Sequence, residues 1–322
     1  MGPYGGPPRK KSPLPLILGL GGGGFAFLII IIAIVAAIGG GNDEPTSQSS
    51  YTFSTASASS YQPSSYSTET GTATSTETTS GSEVGGQYGT PEDNKVYETG
   101  VMDGVNCSAQ LSDPFTSADY KEYGEKIQAC LDQAWEAQLT KQGITFQKPS
   151  AVYSESNNPS SPCQSSGASY VPAAFYCPTN QTIYYNMPAA TESPAYHVLR
   201  TPAHEYAHHV QTLTGINETY NNRYYEKQGD TAATTLLTRR SELQAQCLAG
   251  IFLSPNSGSM NVDRGKLEAM AKRTGDDPDD SDPANRTHGK PVNNTRWLMN
   301  EGWDKKDAGA CNTWTAAEDE VG

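Results

Sequence analysis

The 322-residue sequence predicts an α+β domain held outside a membrane by an N-terminal transmembrane helix and a flexible stalk. Three observations predict it. From about residue 96 onward, segments with helical apolar spacing alternate with short β-branched and aromatic runs, the pattern of a helix-rich domain built around a small sheet. Near the N-terminus, a long apolar run follows Arg9, Lys10 and Lys11. Between these parts the chain is rich in Ser, Thr, Gly and Tyr, and no Lys or Arg occurs from Lys11 to Lys95.

In chain order, residues 1–13 read as a basic cytoplasmic tail and residues 14–38 as a single-pass anchor. The dense core of the apolar run, FAFLIIIIAIVAAI from Phe25, belongs to a stretch long enough to cross a bilayer. Positive charge before it and none just after it put the N-terminus in the cytoplasm and the rest of the chain outside. The competing reading is a cleaved secretory signal, with Ala37, Ile38 and Gly39 as a poor cleavage site; both readings export the domain. Residues 39–95 cannot bury enough apolar surface to offset their ordering entropy, so they are expected to be a stalk. Some fifty flexible residues would reach roughly 40 Å, and their hydroxyls suit O-glycosylation. Residues 96–322 suffice for one domain with a sizeable core.

That domain opens with a helix expected over 117–141, with Thr116 as N-cap, Tyr120, Ile127, Leu131 and Trp135 on one side, and Gly143 at its end. Strands are expected at 151–154, 174–177 and 182–186, separated by Pro, Ser and Asn loops. Helices at 203–213, 231–253, 261–273 and 292–302 complete the pattern, with Ser254 and Pro255 closing the second of these. Six cysteines in an exported domain argue for disulfides over a thiolate metal site. Short loops favour Cys107 with Cys130 and Cys163 with Cys177, which leaves Cys247 with Cys311. A buried free thiol at Cys247 is the alternative if the domain is cytosolic.

The chemistry concentrates at 204–208, where His204, Glu205 and His208 form an H-E-x-x-H string. On a helix, positions i and i+4 share a face, so both imidazoles can reach one tetrahedral Zn²⁺. Glu205 would project beside the metal as a general base on a metal-bound water. Val198, Leu199, Val210 and Leu213 supply apolar positions at helical spacing, and Gly215 supplies a stop. Pro202 either kinks this helix or opens it with Thr201 as N-cap. His209 lies about 100° round from His208 and is expected to pack or face solvent.

A catalytic zinc needs a third protein ligand, and Glu242 is the candidate. It lies in the 231–253 helix among Leu243, Cys247 and Leu248, where burial without a partner would be costly; pairing with Arg239 or Arg240 is the alternative. Gln246, one turn further along, is expected to hold the second nitrogen of a ligand histidine. His288, followed by Gly289, is a candidate donor to the oxyanion formed in hydrolysis, against the plain reading of a loop histidine. Tyr184, Tyr185 and Tyr220 are rival donors. The run 275–282 carries five aspartates but lacks the glycine and final glutamate of an EF-hand loop. A solvated loop is the plain reading, and a calcium or loop-anchoring role the alternative.

Six blocks, HEYAHHVQ at 204–211, SELQAQCLAG at 241–250, FYCP at 175–178, GDD at 275–277, HG at 288–289 and CNTW at 311–314, resemble the bacterial neutral zinc metallopeptidase family. The resemblance covers most of residues 150–315. It implies Zn²⁺ as cofactor and Glu242 as the third ligand, and the element pattern suits a zincin-like fold. In such folds an edge strand can pair with an extended peptide, and 182–186 is the nearest candidate. Family members usually carry aspartate where Gln246 stands and glycine where Ala207 stands, and Pro202 is not typical of them. A neutral amide would polarise a ligand histidine less than a carboxylate does.

These readings lead to an extracytoplasmic, membrane-anchored zinc peptidase acting on peptide or protein substrates. A zinc amidase cleaving cell-wall peptide crosslinks would use the same centre. A non-catalytic surface module that needs zinc only to fold would have no use for Glu205. With a net charge of −13, the chain is a poor nucleic-acid binder.

Overall fold

The computed structural model describes residues 86–156, 159–163, 172–276 and 286–322. The expected tail, anchor and residues 39–85 of the stalk lie outside the described residues. Among those described, no helix is long and apolar enough to cross a membrane. Residues 86–95 belong to the domain, which therefore begins before residue 96. Tyr88 and Asn94 are buried, and Glu92 pairs with Arg223 at 2.5 Å. These three side chains anchor the segment just before residue 96 to the domain.

The described chain is a helix-rich α+β domain with a small sheet. Helix α1 (Ser117–Thr140) starts from the expected cap. The Thr116 side chain accepts the Asp119 N–H at 3.2 Å, and Asp119 returns the bond to the Thr116 N–H at 2.8 Å. Its buried face carries Tyr120, Ile127, Leu131 and Trp135, and Gly143 follows at φ 65°.

Strands β1 (Ser150–Ser154), β2 (Ala174–Cys177) and β3 (Thr182–Asn186) lie in the order β1-β3-β2. β3 is therefore the central strand, not an edge. It pairs parallel with β1 and antiparallel with β2, and all five of its residues are buried. Its unbroken burial is what a strand covered on both faces requires. The edge beside the H-E-x-x-H helix is β2. Because the Asn186 N–H donates to Ala173 O at 2.8 Å, antiparallel alternation turns the backbone groups of Ala174 and Tyr176 away from β3.

Two short helices, α2 (Met187–Thr191) and α3 (Ala195–Val198), lead into α4 (Thr201–Leu213). Pro202 sits in the first turn of α4, where no intrahelical N–H is needed, so it opens the helix instead of kinking it. Thr201 is the first helical residue and not the cap. Helix α5 (Ile216–Glu226) has no counterpart in the sequence reading. Only Ile216 and Tyr220 of its residues are buried, too few to give an apolar period.

Helix α6 (Thr231–Met260) runs seven residues past the expected end and passes through Pro255. Tertiary bonds hold this last stretch. Asn256 donates to Phe252 O at 2.8 Å and accepts from the Val105 N–H at 2.9 Å. Helix α7 (Arg264–Ala271), capped by Asp263, is shorter than the expected 261–273. Helix α8 (Pro291–Thr295) continues as a π-helical stretch, Arg296–Trp303, which packs on α6. That approach requires glycine on both sides: a Cβ at Gly250 would lie 2.3 Å from Leu298 O, and one at Gly302 would lie 2.4 Å from Cys247 O. The short helix α9 (Glu318–Val321) ends the chain. All six cysteines pair as expected: Cys107 with Cys130, Cys163 with Cys177 and Cys247 with Cys311.

Candidate metal centre

Helix α4 sets His204 and His208 one turn apart, with ring centroids 4.8 Å from each other. Helix α6 packs against α4 and brings Glu242 between them. Its Oε2 lies 3.2 Å from His204 Nε2 and 3.5 Å from His208 Nε2. The candidate ligand atoms of the three residues all fall within 4.8 Å of one another, and all three residues are buried. His288 approaches the same oxygen, Nε2 to Oε2, at 3.4 Å. Neither arginine takes the place of these histidines: Arg239 faces Asp276 at 3.8 Å, and Arg240 donates to Thr313 O.

The donor set fits a divalent cation. Glu242 is 0% exposed, and neither of its oxygens accepts a hydrogen bond from the described residues. Such a carboxylate is costly to bury unless positive charge faces it. Burial works against its ionisation, yet the neighbouring histidines, His208 first, hold its pKa well below the usual carboxylate range. Burial pushes His204 down to about 3, which keeps it neutral as a ligand must be. For His208 burial acts the same way, but the Glu242 carboxylate outweighs it and pushes the pKa up to about 9. A metal entering this group displaces that proton. Two imidazoles and a carboxylate are a donor set that suits zinc.

The orientation of His208 is set by Gln211, a role the sequence reading gave to Gln246. Gln211 donates through Nε2 to Ser241 O and to Gln244 Oε1, both at 2.9 Å. Its Oε1 is therefore the atom facing His208 Nδ1 at 2.8 Å. That oxygen can only accept, so Nδ1 carries the proton and Nε2 is left as a ligand atom. Gln246 instead accepts from Arg200 Nη1 at 2.9 Å. The reason is the antiparallel crossing of α4 and α6, which sets 211 beside 241 and 244 but 200 beside 246. The available signal was the i, i+3 spacing of Gln211 from His208 on one helix face. Arg200 is itself buried, with its Nε unpartnered among the described residues. Burial pushes its pKa down to about 10, against the pull of Glu205 and Glu242.

Glu205 is 2% exposed. Its Oε2 accepts the Tyr176 N–H of β2 at 2.9 Å, and its Oε1 has no hydrogen-bond partner among the described residues. Burial, with Glu242 adding to it, pushes its pKa up to about 8. A carboxyl poised near neutrality can both take and return a proton.

The loop carrying His288 is anchored by Asp276, whose Oδ1 accepts the His288 N–H at 2.8 Å. Thr287 Oγ1 lies 2.8 Å from His288 Nδ1. Asp276 is the one aspartate of the 275–282 run among the described residues, and it acts as a loop anchor. The rival tyrosines have other contacts. Tyr184 accepts from Asn180 Nδ2 at 2.9 Å, Tyr185 donates to Gln128 Oε1 at 3.4 Å, and Tyr220 pairs with Thr238 Oγ1 at 3.1 Å. His209 is buried outside the ligand group, as expected of a packing residue.

Two histidines of an H-E-x-x-H helix and a glutamate from the helix packed on it, all buried in a helix-rich α+β domain, form a group that could hold a metal in the manner of the H-E-x-x-H class. The chain belongs to the family described as "Putative neutral zinc metallopeptidase", whose model matches residues 84–314. That membership implies Zn²⁺ as the metal. The chain is similar to the uncharacterized protein YpfJ of Escherichia coli (strain K12), 29% identical over 253 residues, covering 72% of this chain and 83% of that protein. It is also similar to the uncharacterized protein Rv2575 of Mycobacterium tuberculosis (strain ATCC 25618 / H37Rv), 27% identical over 180 residues, covering 45% of this chain and 56% of that protein. No solved structure matches the chain.

Proposed function

We propose that the protein is a zinc-dependent peptidase with a zincin-like fold, anchored by residues 14–38 with its domain outside the membrane. The observation that carries the reading is Glu205, a buried carboxyl beside the His204, His208 and Glu242 group, with one oxygen held by Tyr176 and the other without a hydrogen-bond partner among the described residues. A site that used zinc only to fold would need no such group. The family description supports peptide hydrolysis, and three disulfides support an oxidising compartment.

When bound, zinc would acidify a water and polarise the scissile carbonyl. His204, His208 and Glu242 would hold it, with Gln211 fixing the His208 ring. Glu205 would take the proton from the attacking water and pass it to the leaving amine. His288 would donate to the oxygen that gains charge, held in reach by Asp276. An extended peptide would lie along β2, the edge strand beside α4.

The test measures metal content and peptide-library cleavage for the wild type, His204→Ala, Glu242→Ala and Glu205→Gln. One zinc per chain, lost in both ligand variants, with cleavage abolished in Glu205→Gln although its zinc remains, is the expected outcome. Zinc retained by Glu242→Ala removes the third ligand. Bound zinc without cleavage of any linear peptide overturns the peptidase reading and directs the assay to cell-wall crosslinks.

A further inference from the structure

Tyr176 is fastened to α4 at both ends of the residue. Its backbone N–H donates to Glu205 Oε2 at 2.9 Å, and its phenol oxygen lies 3.0 Å from His209 Nδ1. Glu205 and His209 are four residues apart, so one face of α4 presents both contacts. The proton positions follow from a third bond: His209 Nε2 lies 2.6 Å from Gln147 O. A carbonyl only accepts, so Nε2 carries the hydrogen, Nδ1 accepts, and the Tyr176 hydroxyl donates. The Tyr206 ring packs edge-on against the His209 ring, with centroids 5.7 Å apart, and its hydroxyl donates to Asp132 of α1 at 2.7 Å. His209 is thus held directly by the segment before β1 and by β2, and its ring packs on Tyr206, which is itself bonded to α1.

The consequence falls on Glu205. The Tyr176 N–H faces away from β3, where the strand alone would leave it unpaired, and the clip aims it at one carboxylate oxygen. We propose that His209, acting through Tyr176, is a positioning residue that fixes Glu205 by Oε2 and so commits Oε1 to proton transfer. The same clip sets the height of β2 against α4. The Tyr176 N–H is therefore committed to Glu205. This inference rests on the peptidase reading for its kinetic part and on geometry alone for its structural part.

The test uses the full-length zinc-loaded protein, with Tyr176→Phe, which deletes one oxygen atom, and His209→Phe. Three quantities are read: zinc content, hydrogen exchange at the residue 176 amide, and kcat and KM on a cleaved peptide. The expected result is unchanged zinc and at least about tenfold faster exchange at that amide in both variants. It also includes a kcat lowered at least about tenfold with KM within about twofold, since a small misplacement of a catalytic group is felt in the chemical step. A merely structural contact would lower the melting temperature and speed exchange across β2 without separating kcat from KM. Unchanged exchange at residue 176, or faster exchange with unchanged kcat, overturns the proposal. Should the wild type cleave no peptide, the peptidase reading fails by itself. The exchange arm then decides whether the clip exists.

Discussion

Replacing Glu242 by Gln separates two effects that its position combines. In the metal-loaded protein the change should remove the proposed third ligand. In the chelated protein it removes a fully buried carboxylate whose oxygens accept no hydrogen bond from the described residues. With that charge gone, His208 loses the largest interaction that pushes its pKa up to about 9 and becomes neutral, while the buried Arg200 keeps its bond to Gln246 but loses the pull of Glu242. Replacing a buried ion pair by neutral groups is often neutral or stabilising by about 1–4 kcal/mol, whereas leaving a buried charge uncompensated costs about 3–5 kcal/mol. Zinc at a hundred times its dissociation constant stabilises the wild type by about 2.7 kcal/mol through mass action. For a domain of this size that corresponds to a rise in melting temperature of roughly 5–10 °C. Thermal unfolding followed by circular dichroism, with zinc and with chelator, should therefore give the full rise for the wild type and almost none for Glu242→Gln. The chelated variant should melt less than about 6 °C below the chelated wild type, since an uncompensated buried charge would cost roughly 6–20 °C. A Glu242→Gln protein that zinc stabilises as much as the wild type would refute the assignment of Glu242 as a ligand. A large loss in the chelated state alone would show that Glu242 supports the fold by some other contact.

Three further outcomes follow from the same geometry. Gln211→Leu leaves the His208 Nδ1–H without its acceptor, so zinc affinity should fall about 10- to 100-fold in competition with a chromogenic chelator, while far-ultraviolet circular dichroism stays the same. The double change Cys247→Ser and Cys311→Ser opens a bridge with a sequence separation of 64 and should cost about 4 kcal/mol. Its melting temperature should fall by roughly 8–16 °C, and a fall no larger than that from reducing Cys163 and Cys177 alone would count against the role given to loop length. Glu92 is partly buried, which favours its neutral form, but the bonds from Arg223 outweigh this and lower its pKa below the ordinary 4.5. A lowered carboxylate pKa stabilises the fold above the unfolded value and stops doing so as pH falls through the folded value. The melting-temperature gap between wild type and Glu92→Gln should thus be constant well above the unfolded value, from about pH 6 to 8, where the carboxylate is ionised in both states, and it should close below pH 4.5. A gap that persists in acid would mean the contact is not electrostatic.

The reach of the sequence by itself is clearest at α4. Helical period is a local property, so the spacing of His204 and His208 was enough to put both on one face, and Glu205 beside them. The apolar neighbours of Glu242 made it a candidate for a buried ligand, but spacing alone left pairing with Arg239 or Arg240 open, and packing decided between them. Strands at 174–177 and 182–186 were legible because turn residues bound them, and the cysteine pairs because two of the loops were short. Other assignments depended on which faces meet. The antiparallel crossing of α4 and α6 gave the His208 bond to Gln211 and left Gln246 to Arg200. Strand order put β3 at the centre of the sheet and β2 at the edge facing Glu205. Asn256 carried α6 past Pro255 through bonds to Phe252 and Val105, and the second of these is long-range. Local periodicity determines which side chains share a face, whereas the choice among possible partners for that face is made by packing between segments distant in the chain, where the sequence carries no spacing to read.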